Sequence, residues 1–217
     1  MAGGIILFTV MALFLSPTVL IPFHGAIQFA SNASRVMLHF KKISWRITAP
    51  FALAALPGAY LASRIVVEIP EDLFRGGLGI FIILMTWVPP IKKAPQIKGK
   101  FFILGFVTTF VSIFVGATGP FMAPFYLREG LVKEDLVATK AACQLFLHLF
   151  KVLAYLSIGF QITEFGGLLA ILMGVAFLGN AIGKEILKKM SDQSFMIIIK
   201  IIITLLAGQL IYQAILT

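Results

Sequence analysis

No aspartate or glutamate interrupts the long apolar runs of this chain. Glu68, Glu71, Asp72, Glu129, Glu134, Asp135, Glu164, Glu185 and Asp192 all fall in loops or at segment ends. A proton relay through a buried carboxylate is therefore disfavoured. One cysteine, Cys143, excludes an internal disulfide, and the three histidines form no cluster at metal-ligand spacing, so no metal and no cofactor is expected. No G-x-x-x-x-G-K-[ST] sequence occurs, which leaves an ion or substrate gradient, or a separate subunit, as the source of any drive. The start Met-Ala-Gly-Gly lacks a basic n-region, and no cleavable signal peptide is expected.

What is there is apolar sequence. The residues AVILMFWYC make up 59% of the 217, before the 19 glycines are counted, against about 45–50% with glycine included in a soluble domain. The net charge of +9 comes from cations placed singly or in small groups between apolar runs. They form no basic stripe of the kind nucleic acid requires, and read instead as loop anchors beside an anionic leaflet. The chain is an all-α polytopic membrane protein by this reading, with the lipid bilayer as its solvent and the cell membrane as its place.

A crossing needs about 20 apolar residues, and eight stretches qualify: 3–22, 23–40, 47–67, 73–91, 101–118, 136–159, 163–185 and 194–216. Gly119 to Leu131 is apolar but too short to span about 30 Å, so a half-helix or broken element is expected there, with protein or a water-filled cavity satisfying its backbone. Basic loops hold Lys41, Lys42 and Arg46, then Lys92, Lys93, Lys98 and Lys100, then Lys184, Lys188 and Lys189; Glu68–Asp72 and Gly159–Glu164 contain no Lys or Arg. The positive-inside pattern puts the first three in the cytoplasm and the other two outside.

The chain also repeats. A shift of 116 lays His24, Gln28, Asn32 and Arg35 over Lys140, Gln144, His148 and Lys151, and Gly3 over Gly119. Further on the shift drifts to 121, with Gly58 over Gly179 and Phe74 over Phe195. The matched loops have opposite charge character, so the halves, 1–91 and 101–217 joined by a linker at 92–100, are expected to be inverted. Inverted repeats with broken helices are a secondary-transporter architecture.

Each matched set keeps to one helix face by its spacing. Lys151 lies near the middle of its segment and Arg35 about a turn and a half inside the end of its own. With no acidic partner at that depth, an anionic substrate is the natural counter-ion. The competing readings are snorkelling for Arg35 and Lys151, and interhelical hydrogen bonding for Gln28, Asn32, Gln144 and His148. Lys200 is read as snorkelling, and Gly58-x-x-x-Ala62 and Gly179-x-x-x-Gly183 as packing faces. In Gly116-Ala-Thr118-Gly119-Pro120 a break is followed by a new helix start, whose free N–H groups favour an anion; a packing kink is the alternative. His24 or His148 is a candidate for proton coupling.

The stretch GATGPFMAPFYLREGLVKEDLVATKAACQLFLHLFKVLAYLSIGF resembles the second repeat of the TauE/SafE sulfite exporter family of membrane permeases, and GGIILFTVMALFLSPTVLIPFHGAIQFASNASRV resembles its first. The resemblance covers nearly the whole chain. It implies transport of a small anion such as sulfite, an organosulfonate or a related sulfur-containing organic acid, and favours Gly3, Gly4, Gly116, Gly119 and Thr139. Such proteins usually have an apolar segment, equivalent to 101–118, ahead of the first glycine cluster; with only Met1 and Ala2 ahead of Gly3, either the first repeat has lost a helix or the natural start lies upstream.

The expected substrate-binding set is His24, Gln28, Asn32, Arg35, Thr118, Gly119, Thr139, Gln144, His148 and Lys151, near the membrane midplane between the repeats. The partners expected are the small anion, a coupling ion (proton or sodium) and a second copy of the chain in a homodimer, with no nucleic acid. A passive anion channel is the alternative. An intramembrane enzyme using Ser31, Ser34 or Ser157 with His24, His39 or His148 as base is disfavoured, since none lies in a nucleophile-elbow or H-E-x-x-H pattern.

Overall fold

A computed structural model describes residues 3–66, 69–87, 97–116, 118, 122, 125–126, 128–131, 133–161, 163, 166–175 and 192–216. Among these residues the secondary structure is helical, with no strand. In chain order the helices are α1 (Gly3–Ala12), α2 (Pro17–Leu38), α3 (Trp45–Val66), α4 (Glu71–Trp87), α5 (Lys100–Val115), α6 (Lys133–Ser157), α7 (Gly166–Val175) and α8 (Asp192–Leu216). A 3-10 turn, Phe40–Lys42, joins α2 to α3. The basic loop at Lys184, Lys188 and Lys189, residues Lys92 and Lys93, and Gly179 and Gly183 lie outside the described residues.

The first boundary falls elsewhere than the hydropathy of 3–22 and 23–40 implies. The chain breaks at 13–16, and α2 then runs through Pro22. Proline disfavours helical geometry in the residue before it, and Ser16, ahead of Pro17, is extended at φ −64°, ψ 156°. Pro17 opens α2, where its missing N–H costs nothing, whereas Pro22 forfeits one bond inside a buried turn. As a result α1 has 10 residues, about 15 Å of helix. It is a short element, like the one expected after Gly119. The fifth segment also stops early: α5 ends at Val115, with Gly116 as C-cap at φ +67°, a conformation that favours glycine.

Helices α2 and α6 pack antiparallel. Gly25 faces Lys151 and Val152 at one end of the seam, while Val36 packs against the cluster of Ile43, Ala138 and Ala142 at the other. Helices α4 and α8 are also antiparallel, with Gly79 against Ala207 and Ile211 and Trp87 Nε1 donating to Thr204 at 3.0 Å. Two glycines bring α3 onto α5: a Cβ at Gly58 would lie 2.6 Å from the Phe106 carbonyl oxygen, and one at Gly105 would collide with the Phe51 carbonyl. Close backbone approach at small residues is how helices associate in lipid, where hydrophobic contact gives little preference. Gly58 is thus a packing position, as its spacing suggests.

Large apolar side chains cover the outside as well as filling the core, and polar ones are buried among them. Leu53, Leu61, Leu84, Ile103, Leu153, Ile201 and Leu205 are exposed, while Thr9, His24, Asn32, Ser112, Thr139, His148 and Lys151 are buried. An apolar exterior with polar groups kept inside suits a chain dissolved in lipid. Two of the helical stretches, Trp45–Val66 and Glu134–Ser157, are long and apolar enough to cross a membrane. Helix α2 matches α3 in length but spends one face on the polar stripe.

Candidate functional site

The stripe on α2 is a chain of hydrogen bonds. His24 Nε2 lies 3.0 Å from the Gly4 carbonyl oxygen and 3.3 Å from the Gln28 amide nitrogen. Asn32 Nδ2 donates to the Gln28 carbonyl at 2.8 Å, and Arg35 donates to Asn32 Oδ1 and Ser31 Oγ at 3.3 Å each. The half-helix α1 is pinned against this face. Phe8 packs edge-on against His24 at 4.9 Å between ring centroids, and a Cβ at Gly4 would meet Gln28 Nε2 at 2.6 Å.

The stripe on α6 faces it. His148 approaches His24 edge-on at 5.8 Å between centroids. Both rings are buried, and neither Nδ1 atom has a hydrogen-bond partner among the described residues. Buried polar atoms are nearly always paired, so two open ring nitrogens this deep are available to a ligand.

Lys151, fully buried, runs its stem past Gly25 and donates from Nζ to the Ser112 carbonyl at 2.8 Å. The same carbonyl accepts the Gly116 N–H at 2.9 Å. Lys151 thus sits at the C-terminal end of α5, where the helix dipole favours a cation. A Cβ at Gly116 would collide with the Phe8 ring, so α1, the break after α5, and the α2/α6 seam meet in one place. Lys151 acts electrostatically on both imidazoles, and no carboxylate among the described residues neutralises it.

The other sequence-derived positions separate from this centre. Thr118 is buried beyond the break; Gly119 lies outside the described residues. Thr139 Oγ1 accepts the Ser44 N–H at 3.0 Å, holding the start of α3 against α6. Gln144 is half-buried, one turn before His148. Arg35 belongs to the far end of the seam, near Lys140. Lys200 Nζ stands 5.0 Å over the Trp87 ring, away from the stripes.

Sequence reasoning passed over Ser112, whose carbonyl holds Lys151, and Thr109, whose buried hydroxyl has no partner among the described residues. Their signal is present in FVTTFVSIFVG, where Thr108, Thr109 and Ser112 fall on neighbouring positions of one helix face. Chemically, the centre offers one cation, two imidazoles and a primary amide in a dry surrounding. That set has the donors an anion needs, and among the described residues no nucleophile is aligned with a base in it.

Residues 1–210 match the family model described as sulfite exporter TauE/SafE. The chain belongs to the TauE/SafE sulfite exporter family. TauE/SafE membership makes it a membrane protein and a transporter of the sulfite or anion exporter type, with a small molecule as its substrate. No curated protein and no solved structure matches this TauE/SafE chain.

Proposed function

We propose that the protein is a multi-pass secondary transporter of the cell membrane that moves a small oxyanion, sulfite or a sulfonate. The anion binds between two inverted repeats, 1–91 and 101–217, linked by 92–100. The observation that carries this reading is Lys151. A fully buried ammonium whose hydrogen bond goes to a backbone carbonyl is an expensive arrangement, and an anion offsets it. His24, Gln28 and His148 supply neutral donors around it, and charge-assisted bonds of this kind are the strong ones.

The repeat is supported by how its matched helices pack. The shifts of 116 and 121 that match residues in the sequence pair α2 with α6, α3 with α7 and α4 with α8. In two of these pairs, α2 with α6 and α4 with α8, the mates pack on each other antiparallel. That is the relation an in-plane two-fold axis requires. With no carboxylate in the apolar runs, His24 and His148 are the groups through which a proton would be the coupling ion.

Counterflow of radiolabelled sulfite, sulfate and methanesulfonate in proteoliposomes tests the reading. Saturable exchange of at least one, with trans-stimulation by the same unlabelled anion, is expected. Flux that never saturates is a channel's behaviour and overturns the transporter; no flux of any of the three overturns the substrate class.

A further inference from the structure

The far end of the α2/α6 seam holds a second concentration of positive charge. Lys140 is 8% exposed and makes no hydrogen bond or ion pair with the described residues. It is level with Arg35: the antiparallel register that sets His24 against His148 and Gly25 against Lys151 and Val152 brings Arg35 to the height of Lys140, each on the stripe that carries its histidine, and the two cations repel each other. The partners of Arg35 are neutral oxygens of its own helix, Asn32 Oδ1 and Ser31 Oγ. Along α6 the closest carboxylate in sequence, Asp135, is drawn to Lys42 at 4.0 Å. Two like charges at one level of a helix seam repel, and the packing of α2 on α6 is what keeps them there. An anion seated between them turns that repulsion into two attractions.

We propose that Arg35 and Lys140 form an outer anion subsite, distinct from the centre at Lys151. Its ligand is an oxyanion with at least two charge-bearing oxygens, the same class that the transport reading assigns to Lys151, and the proposal rests on that reading. A planar guanidinium binds two oxygens side by side while a lysine ammonium supplies a point charge, so sulfite and sulfate fit and chloride does not. Eleven residues separate Lys140 from Lys151, about 16 Å along the helix. One anion does not touch both cations. The outer subsite lies at the end carrying Lys41, Lys42 and Arg46, the cytoplasmic end by the positive-inside pattern. An exported anion reaches Arg35 and Lys140 first and Lys151 second.

Thermal unfolding of the detergent-solubilised full chain, titrated with sodium sulfite and with sodium sulfate at constant ionic strength, reads both subsites, since each ligand that binds the folded state raises the midpoint with its own concentration dependence. The wild type should show two saturating phases, and sodium chloride neither. Lys140→Met should weaken one phase by about tenfold or more, the loss of a charge-assisted contact, while melting no lower than wild type in anion-free buffer, because repulsion is relieved. Lys140→Arg should keep both phases, and Lys151→Met should lose only the other. Arg35→Gln repeats the test from α2 if Lys140→Met does not fold.

An unchanged titration in both Lys140→Met and Arg35→Gln, with the response lost in Lys151→Met, overturns the outer subsite and leaves the transport reading standing. No response in any protein overturns both. The same titrations with phosphatidylglycerol in the micelle distinguish a lipid phosphate from a free anion. If the Lys140-dependent phase arises with the lipid alone and not with sulfite or sulfate, the subsite belongs to lipid and the route for the transported anion is wrong.

Discussion

Replacing Lys151 with methionine separates binding from folding more sharply than any other single change. Methionine keeps an unbranched stem that fills the passage beside Gly25 and adapts to irregular gaps. What disappears is the ammonium and its bond to the Ser112 carbonyl. That carbonyl still accepts the Gly116 N–H at 2.9 Å, so no buried acceptor is orphaned. The lost bond is worth about 0.5–1.5 kcal/mol, and removing a desolvated charge offsets part of it. Folding stability should change by no more than about 1.5 kcal/mol. The anion loses more: a hydrogen bond to a charged group contributes about 1.5–3 kcal/mol, equivalent to about 10- to 150-fold in affinity. Lys200→Met is the control, because its ammonium rests over Trp87 and an exposed contact of that kind is worth about 0.5–1 kcal/mol of stability. Sulfite counterflow in proteoliposomes, with the melting midpoint measured on the same preparations, decides the matter. Equal loss of transport from both substitutions, or no loss from either, would falsify the assignment of Lys151 to the anion.

Three further outcomes follow from the packing. Gly58→Ala, whose Cβ meets the Phe106 carbonyl oxygen at 2.6 Å, should destabilise by about 1–3 kcal/mol, whereas Gly77→Ala, with open space around it, should leave the melting midpoint unchanged; a neutral Gly58→Ala would mean that α3 and α5 are not in contact. Thr139→Val leaves the Ser44 N–H without its acceptor and should cost about 1–3 kcal/mol, with Thr139→Ser close to wild type; a variant that loses sulfite binding but keeps full stability would show Thr139 serving substrate rather than α3. Labelling of Lys42→Cys and Lys98→Cys should occur from the cytoplasmic side only, and reaction of either from the opposite side would refute the orientation drawn from the basic loops.

The stripes were legible because a 4, 4, 3 spacing of polar residues on an apolar helix is a statement about one face, independent of tertiary structure. That the faces meet was legible only through the proposed repeat, since mates lying near a two-fold axis would touch. The break before α2 was not legible from hydropathy. Pro17 and Pro22 both punctuate the same apolar run, and which one ends a helix depends on whether the preceding residue is held extended, as Ser16 is. The partner of Lys151 was hidden for a different reason. A backbone carbonyl has no letter in the sequence, and Ser112 is named by it only through where α5 stops. Thr139 shows the converse, a position singled out by family pattern whose hydroxyl is engaged by the backbone N–H of Ser44, just ahead of α3.

The pairing of α2 with α6 has a consequence for biosynthesis. Helix α2 ends at Leu38 and α6 begins at Lys133, so at about 5–20 residues per second several seconds pass between the emergence of the two. For that interval His24, Asn32 and Arg35 sit in or beside the bilayer without the helix that later covers them, at a depth where unshielded polar and charged groups are costly. Helix α4 likewise waits for α8, the last helix described. The chain is therefore committed to the membrane long before it is stable there, and a ribosome that stalls or terminates early leaves a segment with an exposed polar flank. Separate expression of residues 1–91 is therefore unlike the removal of a domain: α1 packs on α2, but α2, α3 and α4 each find their main helix partner beyond residue 99.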